Sequence, residues 1–458
     1  MGEGQGERGK RPHLNQNLSI KFYHSVNTTR PTPSPAKTEK RKLHHVQALA
    51  EAIRRADTLQ FPADSVLRQF FRENPALGQR DRALVAEGMF AYLRRRRSLK
   101  ALTQTTKPRR LALAVLVREF GHTLKEFSAL LDTDREWLTD FEKHWKSSEA
   151  LLSDIDNADV PDELWARLGN DYDVATRTSL TQAWMQPAPF DLRVNVMKTT
   201  RDEALALLRD EGWQIEPTPY SPLGIRVYGR PSLVNHPLLV DGRLEVQSES
   251  SQLVGYLLAP RRSDMVADFC AGAGGKTLLL GMLMRSQGRL YAFDVSDKRL
   301  QKLTPRMARS GLSNVHPQRI DSERDAKLKR LAGKMDRVLV DAPCTGTGTL
   351  QRNPDLKWRY SETGLAELNA KQLSILTAAA RLVKAGGRLV YATCSVLSAE
   401  NEAIVTQFLE AHPDFSLQPA TETLARAQIP LDTGATLKLL PHQHHTDGFF
   451  AAALEKRS

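Results

Sequence analysis

The stretch DFCAGAGGKT, residues 268–277, decides the fold of the C-terminal half of the chain. It overlaps MVADFC, whose apolar residues predict a buried strand, and it leads into KTLLLGMLMRS, which predicts a helix. A strand, a tight glycine turn and a helix form the nucleotide-binding unit of doubly wound sheets, where glycines let the backbone approach the ligand. The turn and its flank contain Cys270, Ala271, Gly272, Ala273, Gly274, Gly275 and Lys276.

Acidic residues at the ends of the next two predicted strands fit an adenosine ligand. Asp294 ends the strand RLYAFDVS, and a carboxylate there can accept hydrogen bonds from both ribose hydroxyl groups. Asp321 closes the strand VHPQRID, where the edge of an adenine ring would lie. The turn and the two acids predict an adenosine-containing cofactor, although a lone aspartate is also common as a helix cap or a surface charge.

A phosphate-binding loop is the alternative interpretation of the final letters, GGKT. That loop needs the pattern G-x-x-x-x-G-K-[ST], and Cys270 occupies the position of its first glycine. VLVDAP, further along, resembles the acidic strand of an ATPase and gives this alternative partial support. A nicotinamide cofactor would suit the same acid, but G-x-G-G differs from the dinucleotide pattern G-x-G-x-x-G.

Strands and helices alternate from residue 264 to the end. Two stretches predict helices, DKRLQKLTPRMARSG and GLAELNAKQLSILTAAARLVKAGG, and further strands are predicted at VHPQRID, DRVLVDAPC, RLVYATC and TDGFFAAALEK. Alternation at this spacing indicates βαβ units and a parallel, doubly wound sheet of the α/β class. Ligands of such sheets bind beyond the carboxyl ends of the strands.

All three cysteines of the chain follow predicted strands of this sheet. Cys344 lies in DAPCTGTG, Cys394 lies in YATCS, and Cys270 lies at the glycine turn. A single buried cysteine is usually an inert core residue. If the strands before Cys344 and Cys394 are neighbours, however, both thiols face the ligand site.

Thiols beside an adenosine cofactor suit the methylation of a pyrimidine carbon. Carbon 5 of cytosine is a poor nucleophile until a thiolate adds to carbon 6, after which carbon 5 can attack the methyl group of S-adenosylmethionine. The thiolate must form near neutral pH. Asp341, just before Cys344, is placed to hydrogen-bond ring nitrogen 3.

The motifs DFCAGAGGKT, DAPCTGTGTLQRNPDLKWR and ATCS, together with VQSESSQL and TDGFFAA, resemble those of the RNA 5-methylcytosine methyltransferases. The resemblance implies a Rossmann-like S-adenosylmethionine methyltransferase domain at 246–458, preceded by an all-helical NusB-like RNA-binding domain at 43–150 and a small α+β linker domain at 151–245. It also implies 16S ribosomal RNA as substrate, with transfer RNA as an alternative, and a single-stranded or loop cytosine as the target because the base must be unstacked.

The resemblance also implies roles for individual residues. Cys394 would be the nucleophile, Cys344 would help to release the product, and Asp341 would contact the base. The cofactor would be bound by residues 270–276, Asp294, Asp321 and Asp341, with Lys298 and Arg299 nearby. Ala273 replaces a proline found in many relatives. The candidates for contacts with the RNA backbone are Arg352, Lys357 and Arg359, with Trp358 as a stacking surface or a packing residue.

Charge and composition restrict the remaining possibilities. The net charge of +12 favours a polyanionic partner, but residues 1–42 hold nine Lys and Arg against three Glu, which is +6, half of the excess. We expect these residues to form a disordered basic arm. The basic block at Arg94–Arg97 is either a phosphate contact or, more commonly for such runs, a solvated helix end.

The sequence contains neither a signal peptide core nor an apolar segment of membrane-spanning length, and the cysteine spacing matches no zinc pattern. We therefore expect a cytoplasmic monomer without a metal or a membrane partner. A DNA cytosine methyltransferase, an ATPase and an RNA-binding assembly factor with an idle methyltransferase domain are the competing interpretations.

Overall fold

The computed structural model describes residues 35–127, 133–229, 231, 233 and 235–458. Its first part is helical, and the apolar faces of the helices enclose a core that includes Leu49, Ile53, Met89 and Val115. The helices are α1 (Pro35–Ala56), α2 (Ala63–Glu73), α3 (Gln79–Arg94), α4 (Arg96–Thr103), α5 (Pro108–Arg118), α6 (Leu124–Phe127) and α7 (Arg135–Glu149).

The first helix corrects one predicted boundary. It begins at Pro35, within the segment predicted to be a disordered arm, because proline is compatible with the first turn of a helix and the lysines and arginine that follow are good helix formers. Residues 1–34 of the predicted arm lie outside the described residues.

A helical connector leads into a small sheet. The connector consists of α8 (Asp154–Ala158), α9 (Asp162–Asp171) and α10 (Val174–Trp184). The sheet has the order β2-β3-β1-β4, and all its pairings are antiparallel. Its elements are β1 (Phe190–Val194), α11 (Arg201–Asp210), β2 (Gln214–Pro217), β3 (Gly224–Tyr228), α12 (Pro237–Val240) and β4 (Leu244–Val246). Neither β2 nor β4 was predicted, because both are short and lie at sheet edges.

The C-terminal part is the predicted doubly wound α/β sheet, which the structure confirms. The strand order is β10-β12-β9-β8-β5-β6-β7, with β11 paired to β12. Strands β5 to β9 pair in parallel, and β12 joins β9 in the antiparallel direction. The strands are β5 (Met265–Asp268), β6 (Arg289–Asp294), β7 (Val315–Arg319), β8 (Met335–Asp341), β9 (Val383–Thr393), β10 (Phe415–Gln418), β11 (Leu437–Leu439) and β12 (Phe449–Lys456).

Helices cover both faces of this sheet, so its strands are buried on both sides. They are α13 (Glu249–Leu258), α14 (Gly275–Leu283), α15 (Asp297–Ser310), α16 (Ala326–Lys329), α18 (Glu362–Ala380), α19 (Glu402–Ala411) and α20 (Ala420–Arg426). Two further short helices of this part are α17 (Asp355–Trp358) and α21 (Pro441–His444). The helix predicted to run through Gly387 ends at Ala380 instead, because β9 already begins at Val383. Among the residues described, no helix has both the length and the apolar character that crossing a bilayer requires.

The predicted RNA-contact residues of α17 instead join the helical domain to the sheet domain. Lys357 is 1% exposed, and its Nζ donates a hydrogen bond of 2.8 Å to the carbonyl oxygen of Arg94. Trp358 Nε1 donates a bond of 2.6 Å to the carbonyl oxygen of Leu93. Asp355 accepts hydrogen bonds from the backbone N–H of Ala63 and from Arg359. We call these contacts of α17 with the helical domain the domain seam.

Ion pairs within the helical domain and with the connector correct both interpretations of the basic block for Arg96 and Arg97. Arg96 Nε lies 2.6 Å from Asp57 Oδ1, and Arg97 Nε lies 2.6 Å from Asp156 Oδ1 in the connector. These arginines are therefore bound to carboxylates within the protein, so they are neither a solvated helix end nor free for phosphate. Arg352, another RNA candidate, is paired with Asp447 at 2.8 Å.

Replacing Trp358 by phenylalanine should weaken the domain seam. The change keeps the aromatic packing but leaves the partly buried Leu93 carbonyl without its donor, which costs about 1–3 kcal/mol. We expect a lower urea midpoint and faster proteolysis between the domains. Trp145→Phe is the control, because the Trp145 ring lies against Arg118 and Lys146 and donates no bond across the seam. Equal midpoints for the two variants would contradict this role.

Candidate active site

The glycine turn lies at the carboxyl edge of the sheet and is shaped by two glycines with positive φ. Gly274 has a φ of +88°, and a Cβ atom there would lie 2.2 Å from Leu303 Cδ1. Gly272 has a φ of +57°, with no heavy atom within 4 Å of a Cβ position. The absence of a side chain at Gly274 therefore lets α14 pack against α15, while Gly272 leaves open space in front of the turn.

Asp294 holds this turn in place from the end of β6. Its Oδ2 accepts a hydrogen bond of 2.8 Å from the Gly272 N–H, and its Oδ1 accepts one of 2.7 Å from the Ser296 N–H. The buried Ala271 donates its N–H to the Phe293 carbonyl at 2.8 Å. The structure thus brings Asp294 together with the predicted glycine loop.

The other predicted cofactor residues lie further out on the same side. Asp321 is exposed and pairs with Arg319 at 3.1 Å. Lys298 and Arg299 are exposed on the first turn of α15. Their roles in cofactor binding stay predictions. The sequence prediction missed Arg306, which donates a hydrogen bond to the Ala273 carbonyl.

Asp268 was also missed as a site residue, although it opens the DFCAGAGGKT motif. Its Oδ2 accepts a hydrogen bond of 2.7 Å from the Thr277 hydroxyl, but its buried Oδ1 has no partner within the described part of the chain. Burial raises the pKa of Asp268 to about 7. A buried carboxylate oxygen beside an open turn is suited to receive a cationic group.

The strands before Cys344 and Cys394 are neighbours, which was the condition for the two thiols to meet, and the thiols lie together. β8 and β9 pair in parallel, with Asp341 opposite Ala392, and Cys344 Sγ lies 3.3 Å from Cys394 Sγ. Their loops are joined, because the Gly348 N–H donates to the Cys394 carbonyl at 2.9 Å. Glu400 fixes the Cys344 loop by accepting a hydrogen bond of 2.8 Å from the Thr345 N–H.

Two of the three thiols have a raised pKa. The hydrogen bond to Cys394 and burial raise the pKa of Cys344 well above its usual value. Burial likewise raises the pKa of Cys270, which lies among the carboxylates of Asp268, Asp341 and Asp294. Cys344 and Cys270 are therefore held as neutral thiols, and the S–H of Cys344 is available to donate to the Cys394 sulfur.

Lys276 supplies the positive charge beside the thiol pair. Its Nζ lies 2.7 Å from Asp341 Oδ2 and 5.0 Å from the centre of the Phe449 ring. Burial alone would lower the pKa of Lys276, but the charge of Asp341 and, to a smaller extent, that of Cys394 raise it. The ammonium group therefore persists and favours negative charge on the Cys394 sulfur. A P-loop would need Lys276 to bind a phosphate, but here its ammonium group is already paired with the carboxylate of Asp341.

Within the described residues, no three His, Cys, Asp or Glu side chains form a group suited to a metal ion. The arrangement offers two adjacent sulfurs, of which that of Cys344 is held as a neutral thiol, together with an ammonium–carboxylate pair and a glycine turn at one edge of the sheet. These groups suit nucleophilic catalysis beside a bound nucleotide-like ligand.

Mild oxidation tests the geometry of the thiol pair independently of any activity. One equivalent of hydrogen peroxide should join Cys344 and Cys394 in a disulfide, with loss of one hydrogen from each thiol and release of water, because the sulfurs need only approach by roughly 1.2 Å. Peptide mass mapping and thiol titration before and after dithiothreitol would measure it. Cys344→Ser is the matched control without a partner thiol. Recovery of both free thiols after peroxide, or a bond to Cys270, would contradict the geometry.

Known proteins share both the sequence and the fold of this chain. Residues 255–455 match the family described as 16S rRNA methyltransferase RsmB/F, and residues 160–233 match the ferredoxin-like domain of Methyltr_RsmF/B-like proteins. The crystal structure of PH0851 is similar to 90% of this chain and 99% of that chain, with a TM-score of 0.72 and 26% identity.

Two curated relatives extend the similarity. The chain is 38% identical over 297 residues to the probable ribosomal RNA small subunit methyltransferase B of Synechocystis, a match that spans 65% of this chain and 66% of the relative's length. It is 31% identical over 410 residues to ribosomal RNA small subunit methyltransferase B of Sodalis glossinidius, which spans 83% of this chain and 91% of the relative. On this similarity the chain belongs to the RsmB/F family of 16S rRNA methyltransferases.

Proposed function

We propose that the protein is an S-adenosylmethionine-dependent RNA methyltransferase that modifies carbon 5 of a cytosine in 16S ribosomal RNA through a covalent cysteine adduct. The observation that carries this proposal is the separation of 3.3 Å between Cys344 Sγ and Cys394 Sγ. Two thiols at this distance, beside a nucleotide-binding turn, match the needs of addition to a pyrimidine ring followed by its reversal.

The turn fits the proposed cofactor. Asp268 Oδ1 is a buried acceptor without a partner in the described chain and can receive the ammonium group of a methionine moiety. The open space before Gly272 leaves room for the adenosine, and Asp294 lies beside it with lone pairs available to ribose hydroxyls. When bound, S-adenosylmethionine supplies an electrophilic methyl group on a sulfonium.

Cys394 is the better candidate for the attacking sulfur. Lys276 favours its thiolate, whereas the raised pKa of Cys344 keeps that residue protonated. The Cys394 sulfur forms a bond to carbon 6, and the displaced electron pair makes carbon 5 nucleophilic. Charge that builds on ring nitrogen 3 is neutralised by a proton that leaves the Lys276 ammonium group and passes through Asp341, and this proton returns by the same route when the addition is reversed.

Release of the product reverses the addition. After methylation, carbon 5 gives up its proton to solvent water, the ring double bond forms again and the bond from carbon 6 to the Cys394 sulfur breaks. Cys344 lies within hydrogen-bonding distance of the departing sulfur and can donate its S–H to the expelled thiolate. The two cysteines thereby act at opposite ends of one catalytic cycle.

The ribosomal substrate is supported by the relatives, which are named as ribosomal RNA small subunit methyltransferases. The internal pairing of Arg96, Arg97 and Lys357 removes these residues as RNA contacts, so RNA must be bound elsewhere. The target base has to leave its stack to meet Cys394, which favours a single-stranded or loop cytosine.

Replacing each active-site cysteine should give a different result. Cys394→Ala should lower methyl transfer to 16S rRNA by at least about 1,000-fold, because the nucleophile is lost. Cys344→Ala should accumulate a protein–RNA adduct that survives a denaturing gel, because release is slowed. Tritium transfer from labelled S-adenosylmethionine and gel migration measure these effects. The double variant is the control and should form no adduct. Normal turnover by Cys394→Ala would refute the mechanism, and equal transfer to the matching DNA would refute RNA specificity.

Lys276→Met should shift the pH dependence of methyl transfer. Without the ammonium group, a thiolate at Cys394 is less favourable, so activity should fall by about 10- to 100-fold near neutral pH and recover partly as the pH rises. Lys276→Arg keeps the charge and should retain the wild-type profile. Initial rates across the neutral to alkaline range provide the measurement. If the rates of Lys276→Met are lower than those of the wild type by the same factor at every pH, Lys276 does not have this role.

A further inference from the structure

A cavity lies at the amino edge of the sheet, on the side opposite the thiols. It has a volume of about 350 Å³ and lies between the C-terminal ends of α13 and α14, the start of β8, the middle of β9, and α20. Arg337 enters it from the third residue of β8, four residues before Asp341, which is roughly 13 Å along the strand. The cavity is therefore separate from the proposed active site.

The wall of this cavity carries four arginines and no carboxylate: Arg261, Arg337, Arg388 and Arg426. Arg337 and Arg388 are direct register partners on neighbouring strands, with side chains only 13% and 8% exposed. Like charges at such positions repel each other unless an anion lies between them.

The local acceptors satisfy these guanidinium groups only in part. Arg388 donates to the Leu257 carbonyl at 3.1 Å and to Glu455 at 2.9 Å, but its buried Nε has no acceptor in the described chain. Arg337 donates from one Nη to the Asp336 carbonyl at 2.9 Å, but its Nε donates to the Ala259 carbonyl only at a long 3.4 Å, and the Asp264 carboxylate is 3.9 Å away. Burial lowers the pKa of Arg337, and the charges of Arg388 and Arg261 add to that effect.

The rest of the cavity is shaped for more than a bare anion. Tyr256, Leu283 and Pro260 give it an apolar and aromatic wall, and Thr423 adds a hydroxyl group. Arg261 is exposed at the mouth, and Arg426 is 72% exposed with only a long contact of 3.4 Å to Glu422. These two side chains are free to close over a ligand that enters.

We propose that this arginine pocket binds the phosphate group of a nucleotide, with the sugar or base against the apolar wall. The phosphate comes either from the backbone of an RNA strand that extends past the active site or from a free nucleotide. Guanidinium groups bind phosphate oxygens in a bidentate manner, which explains why arginines rather than lysines line the pocket. This site goes beyond the proposed function and needs no methyl transfer.

Binding measurements with the full chain test the proposal. The variant R261E/R426E changes only exposed residues, and the control R330E/R381E makes the same charge change at exposed positions outside the pocket. R337M is a second, charge-removing variant inside the pocket. The affinity for a fluorescent single-stranded RNA is measured as a function of salt, and the thermal shift with adenosine monophosphate is measured in parallel.

If the source is RNA, both pocket variants should weaken RNA binding more than the control does. The slope of log affinity against log salt should then become shallower by about 0.7 for each phosphate that the variant no longer neutralises. If the source is a free nucleotide, the monophosphate should stabilise the wild type and the control but neither pocket variant. Pocket variants that match the control in both measurements would overturn the proposal. Because neither readout uses methylation, such a failure is distinct from a failure of the cysteine mechanism.

Discussion

The parallel pairing of β8 with β9 is the constraint on which the site depends. Because parallel strands end at the same edge of a sheet, Asp341 and Ala392 face each other and the loops that follow them carry Cys344 and Cys394 to the same place. Backbone hydrogen bonds between the two loops then fix the sulfurs at 3.3 Å. A close approach of backbones at Gly348 and Gly448 makes this possible, since a Cβ at Gly348 would lie 2.0 Å from the Gly448 carbonyl oxygen.

Three carboxylates and one ammonium group lie at this same edge of the sheet. Asp268, Asp294 and Asp341 end three neighbouring strands, and each would be costly to bury without a cation or an N–H donor. Lys276 neutralises Asp341, and backbone N–H groups solvate Asp294, which leaves Asp268 as the acid without a full set of partners. Asp268 can therefore accept one more positive charge beside the glycine turn. The ammonium group of Lys276 favours a negative charge on the Cys394 sulfur.

Alternation and glycine spacing predicted the sheet, the turn and the convergence of the two cysteines, because these depend on local sequence and on the rule that ligands lie at carboxyl strand ends. Lys357 was misjudged as an RNA contact for a physical reason, whereas Trp358 follows the packing alternative. A basic residue beside a tryptophan has the composition of an RNA contact, and only the tertiary fold shows that the Leu93 and Arg94 carbonyls accept their hydrogen bonds. Asp268 Oδ1, which has no hydrogen-bond partner among the described residues, could not be predicted from the sequence either, because the absence of a partner depends on the tertiary fold.

The seam residues follow the Cys344 loop directly in the chain, so contacts at the seam hold that loop in place. Leu350, between Cys344 and α17, lies in one core with Leu168 and Trp184 of the connector and with Val396, just beyond Cys394. The helical domain, the connector and both thiol loops are therefore packed into one body. Because packed interiors deform little, an RNA held by the helical domain would keep a fixed register with the thiols. Under the proposed function, the seam would convert binding energy gained far from the sulfurs into placement of the target base beside Cys394.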